Sequence, residues 1–170
     1  SVQETVIFVI PPLALTAASG VIVSASATAL TKADRSDSKL PVTAETRFSA
    51  IESGQIDLLC GATTKTLGRA ERVGFTQLTF ATGGSLISLE GSGITGLGAL
   101  GGKRVAVSRG TTTIDALRRA LSARGIAAEV VPVGRAEEGM ALLDRGEVAA
   151  FSADQVVLIG LILARPSDKR

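Results

Sequence analysis

Two stretches of this chain collect groups able to hold a small anion. Gly61-Ala62-Thr63-Thr64-Lys65-Thr66-Leu67-Gly68-Arg69 follows a short apolar run. Arg109-Gly110-Thr111-Thr112-Thr113 follows a second such run and leads directly into a helical pattern. Threonine hydroxyls beside the unsatisfied N–H groups of a helix start suit a carboxylate or phosphate. The plainer alternative is that those threonines only cap the helix. A nucleotide P-loop is excluded, since no GxxxxGK[ST] pattern occurs.

Composition removes several other chemistries. The chain has no His and one Cys, which excludes a Cys–His pair, a serine triad with an imidazole base, and the usual zinc sites. No catalytic residue, metal or cofactor is expected. A net charge of +2, with no Trp or Tyr and five Phe, argues against nucleic acid as a partner. The length of 170 residues, 45% of them hydrophobic, allows one ordinary domain or two small lobes.

The elements that must carry these groups follow from periodicity and stop signals. Helical patterns cover residues 44–53, 112–124, 136–145 and 154–164, the last apolar almost all round and therefore expected to be largely buried. Apolar runs at 56–60, 85–89, 104–108, 128–133 and 148–151 read as buried strands. Strands alternating with helices predict an α/β fold with mainly parallel sheets. Residues 6–30 carry no charge. A membrane span there competes with a strand at 5–10, a turn region at 11–20 and a helix beginning at 25–30. One internal echo stands out: Glu52-Ser53-Gly54-Gln55-Ile56 and Asp144-Arg145-Gly146-Glu147-Val148 each read as helix end, Gly stop and strand. Two equivalent lobes would produce that repeat, although helix–Gly–strand is common in any α/β protein.

Taken together, Val42-Thr43-Ala44-Glu45-Thr46-Arg47, Cys60-Gly61-Ala62-Thr63-Thr64 through Arg69, Gly110-Thr111-Thr112, and Asp154 after Phe151 resemble the family 3 solute-binding proteins. Within that family the pattern is similar to the glutamate/aspartate-binding branch, over about residues 40–163. The resemblance implies a two-lobed, type II periplasmic-binding-protein-like fold, with lobe 1 at 1–84 and lobe 2 at 85–170. It also implies that the first lobe is incomplete, lacking a C-terminal return segment beyond Arg170. By position, Arg69 and Thr64 would hold a ligand α-carboxylate, together with Thr111 and Thr112 from the second lobe. Asp154 would pair with the α-ammonium, and Arg47 would reach a side-chain carboxylate. Ala62 stands where the family places a ligand-contacting Ser. The implied function is extracytoplasmic binding of a polar, acidic amino acid for an ABC transporter permease, by a periplasmic or extracellular monomer, with membrane tethering left open. Two alternatives remain: a cyclohexadienyl-dehydratase-like enzyme on the same fold, and a ligand-sensing module of a membrane receptor.

Overall fold

The computed structural model describes residues 4–7, 27–30, 39–77 and 80–165. The chain divides into two compact units, Ser1–Gly83 and Gly84–Arg170. The first unit contains β1 (Glu4–Ile7), β2 (Ala27–Leu30), β3 (Lys39–Val42), α1 (Arg47–Glu52), β4 (Leu58–Cys60), β5 (Ala62–Thr64), α2 (Leu67–Ala70) and β6 (Phe80–Ala81). These strands form two three-stranded sheets, ordered β5-β1-β6 and β3-β2-β4. Every described pairing in this unit is antiparallel. Pro41 falls on the edge strand β3, where a missing N–H breaks no interior ladder. Val42, Ala50, Ile56 and Leu59 form the buried core, with Leu40, Ile51, Leu58 and Phe75 packed around it.

The second unit contains β7 (Gly84–Ile87), β8 (Arg104–Ser108), α3 (Thr112–Ser122), β9 (Glu129–Val133), α4 (Ala136–Asp144), β10 (Ala150–Asp154) and α5 (Gln155–Leu163). Its sheet runs β7-β10-β8-β9, with β8 parallel to both β9 and β10 and β7 antiparallel to β10. Pro132 again lies on an edge strand. Leu117 and Leu121 on α3 pack with Leu100, Val105 and Ala150 in a core under the sheet. Central β8 is buried at four consecutive positions, as a strand covered on both faces must be. Gly54 and Gly146 follow α1 and α4 with φ of 69° and 70°, so the repeated helix–Gly stop is present in both units.

Several expectations needed correction. The sheets are not mainly parallel: that description fits only the β9-β8-β10 portion. Residues 27–30 are a strand, not the start of a helix. Ala27-Thr28-Ala29-Leu30 hydrogen-bonds on both sides, to β3 and β4, and that ladder outweighs the helix preference of two alanines and a leucine, which differs from that of other residues by under about 1 kcal/mol each. The segment after Cys60 is not wholly a loop, because Ala62-Thr63-Thr64 turns at Gly61 and joins β1 in the other sheet. The helix expected at 44–53 begins only at Arg47; residues 44–46 form a turn stitched by Thr43 and Thr46, whose hydroxyls each accept from the other's N–H. On α5, Leu158 and Leu161 are buried but Ile159 and Leu163 are 48% and 62% exposed, so the helix is only partly covered. Residues 5–7 lie in β1. Residues 8–10 of the expected strand, the turn region 11–20 and positions 25–26 fall outside the described residues. Among those described, no helix is long and apolar enough to cross a membrane.

Candidate functional site

In the first unit the candidate residues converge on β5. Thr63 and Thr64 are buried there, and Ala62 and Cys60 are half-buried. Burial pushes the Cys60 thiol up, so it stays protonated at neutral pH and is a poor nucleophile. Arg47 is only 5% exposed. Its Nη1 donates to Ala62 O at 3.1 Å and to Thr63 Oγ1 at 3.0 Å. Such bonds are required of a guanidinium taken from water. From the other side of the strand's sequence, Arg69 Nη1 donates to Thr64 O at 2.9 Å. Arg69 sits in α2, whose first turn is capped by Thr66: the Arg69 N–H donates to Thr66 Oγ1 at 3.3 Å. Two arginines are thereby anchored on three consecutive residues of one strand.

Sequence reasoning missed what joins them. The Phe48 ring, 7% exposed, carries the guanidinium carbons of Arg47, Arg69 and Arg72 at 5.2, 5.1 and 5.7 Å from its centroid. Those distances lie within the range of attraction between a cation and a ring face. Arg72 also makes a two-pronged pair with Glu52, Nε to Oε1 at 2.6 Å and Nη2 to Oε2 at 2.9 Å. That hydrogen bond holds the Glu52 carboxyl below its ordinary range. Three cations gather at one ring, and Glu52 offsets one of them. No local pattern signals this, because Glu52 and Arg72 are twenty residues apart.

In the second unit the strand–helix junction places Thr111, Thr112 and Asp154. Thr111 stands at the N-cap of α3, yet its side chain does not cap the helix. Its hydroxyl turns back and donates to Ser108 O at 2.7 Å. Simple capping therefore does not account for that threonine. Thr112 begins the helix and is half-buried. Asp154 ends β10 and precedes α5. Thr113, 4% exposed, donates from Oγ1 to Asp154 Oδ1 at 3.2 Å, linking the first turn of α3 to the acid at the end of β10. Because β8 and β10 are parallel neighbours, their C-terminal ends lie side by side, where α/β sheets present ligand groups. In the sequence Thr113 reads only as part of that threonine-rich stretch, with no site role of its own. Its place one residue past the Thr111-Thr112 pair was the only signal. Ser85, on β7, accepts from Ser152 Oγ through its carbonyl at 3.0 Å. Among the described residues no group of acidic, Cys or His side chains could hold a metal ion.

The sequence pattern of the bacterial extracellular solute-binding proteins, family 3, matches residues 20–157. The chain belongs to that family. The glutamate/aspartate import solute-binding protein of Salmonella typhimurium strain LT2 is 28% identical over 142 residues, which cover 84% of this chain and 47% of that protein. The chain thus spans about half the length of the curated relatives it matches. Among solved structures, an ABC transporter/periplasmic binding protein from Brucella ovis with glutathione bound is 29% identical. It superposes with a TM-score of 0.64 over 74% of this chain and 40% of its own. An ancestral arginine-binding protein bound to arginine gives a TM-score of 0.65 at 24% identity, over 76% of this chain and 57% of its own, a likeness of fold. The solute-binding fold here is the α/β, type II periplasmic-binding-protein class. Each of these three relatives is named as a binding protein.

Proposed function

We propose that this chain is part of an extracytoplasmic binding protein that captures an amino acid for an ABC importer. In the first unit Arg69 and Thr64 are the carboxylate-binding groups of this reading; in the second, Thr111 and Thr112 are its anion-binding hydroxyls and Asp154 its partner for an ammonium. Thr113 holds Asp154 in place. Ala62 acts through its carbonyl, which accepts from Arg47. The observation that carries the reading is the anchoring of Arg69 on Thr64 O, which fixes a guanidinium beside the hydroxyl-rich segment 61–66. The second guanidinium, Arg47, bonded to the same strand, supplies positive charge that favours an acidic amino acid, glutamate or aspartate. A planar fork already held by protein contacts loses little freedom when it binds a carboxylate.

A thermal-shift screen of the twenty amino acids tests this. A ligand at a hundred times its dissociation constant adds roughly 2.7 kcal/mol of stability. A clear rise with glutamate or aspartate is expected. No rise with any amino acid would remove the reading.

A further inference from the structure

The helix that carries Arg69 is too short to hold itself. α2 has four residues, and isolated helices far longer than that are marginal in water. Its Thr66 cap and the bond to Thr64 O fix one edge of it. On the other side two tethers run to α1, itself only six residues long. One is the Phe48 ring beneath Arg69 and Arg72. The second is the Glu52–Arg72 pair, one helical turn from Phe48 on α1 and three residues from Arg69 in sequence. We propose that Phe48, Glu52 and Arg72 form a clasp between α1 and α2 that positions the Arg69 guanidinium for carboxylate binding, without touching the ligand. This rests on the assignment of Arg69 as the carboxylate clamp.

The physical case has two parts. A buried ring packed against a guanidinium restricts the plane of the fork, and bidentate recognition depends on that plane. The ion pair holds the turn that follows the short helix, itself bonded back to Arg69 O through the Arg72 N–H, against α1, so that Arg69 cannot swing with a fraying end. Lys at position 72 would keep the charge but lose the two-pronged geometry.

Calorimetric titration of the full chain with L-glutamate and L-glutamine tests the clasp in wild type, Phe48→Leu, Phe48→Tyr and Glu52→Gln. Phe48→Leu is expected to weaken both ligands by about fivefold, as loss of a partly desolvated cation–ring contact implies, because both carry the α-carboxylate. Phe48→Tyr, which keeps the ring face, is expected to restore most of that affinity. Glu52→Gln changes an exposed pair and leaves the fold standing; it is expected to weaken binding by about twofold to threefold at low salt. Added salt, which screens exposed pairs, is expected to erase the difference from wild type. If Phe48→Leu does not fold, Glu52→Gln decides alone. Wild type that binds amino acids, with both Phe48→Leu and Glu52→Gln within experimental error of it, overturns the clasp only. Wild type that binds no amino acid overturns the assignment of Arg69 beneath it.

Discussion

Adding one methyl group at Gly139 is expected to destabilise the second unit, although an alanine there should favour the helix. A Cβ built on Gly139 would overlap Phe151 Cδ2 and lie 2.5 Å from Cε2 and 3.2 Å from Cγ. Carbon atoms pack best at about 3.5–4.0 Å, so the ring or the α4 backbone must retreat by about 1 Å. Phe151 is fully buried in β10, and it has no open side to retreat into. Overpacking of this kind costs about 1–3 kcal/mol, while replacing a mid-helix Gly with Ala returns up to about 1 kcal/mol. The net expectation for Gly139→Ala is a loss of about 1–2 kcal/mol. For a chain of this size that lowers the melting temperature by about 3–6 °C. The assay is thermal melting of wild type, Gly139→Ala, Phe151→Leu and the double variant. With the ring gone, the alanine is expected to stabilise, so its sign should reverse between backgrounds. An unchanged or raised melting temperature for Gly139→Ala in the wild-type background would refute the packing argument. So would the same effect in both backgrounds.

If Arg47 lends positive charge to the loop, glutamate should raise the melting temperature more than glutamine; equal shifts would remove Arg47 from selectivity. Thr113→Val, which deletes the hydroxyl donated to Asp154 Oδ1, is expected to weaken amino-acid binding by about tenfold, consistent with losing a hydrogen bond to a charged group. Calorimetry giving unchanged affinity would free Asp154 from that support. The Glu52–Arg72 tether is expected to depend on pH in a defined direction. Its carboxyl is held below the ordinary value in the fold, so the stabilisation is present above the unfolded pKa and lost as pH falls through the folded one. The melting difference between wild type and Glu52→Gln should therefore exist at neutral pH and vanish in acid; a difference that persists in acid contradicts the pairing.

What could be read in advance was local. The amphipathic spacing of Leu117 and Leu121, the early acids Glu137 and Glu138, and the glycines after α1 and α4 mark helices and stops through neighbouring residues alone. The run Arg104–Ser108 is a central strand because all its interior positions are apolar. What escaped was long-range. Ala62-Thr63-Thr64 became a strand only because residues 5–7 offer a partner some fifty-five positions earlier, as the pairing of Ile7 with Ala62 records. Antiparallel pairing in the first unit likewise depends on which segments meet, not on their composition. The same divide runs through the candidate site. Arg69, Thr64, Thr111 and Asp154 stand out through motif order. Phe48 reads as one more apolar helix residue until three arginines are seen around its ring.

The central claim is that Arg69 clamps a ligand carboxylate, and its most direct measurement is calorimetric titration of Arg69→Ala beside wild type with L-glutamate. Truncating one partner of a desolvated, hydrogen-bonded charge pair costs about 2–5 kcal/mol. Binding is expected to fall at least thirtyfold, about 2 kcal/mol, in a variant that still folds and loses only the stability of the Thr64 O and Phe48 contacts that Arg69 makes. An unchanged dissociation constant in a folded Arg69→Ala variant would contradict it.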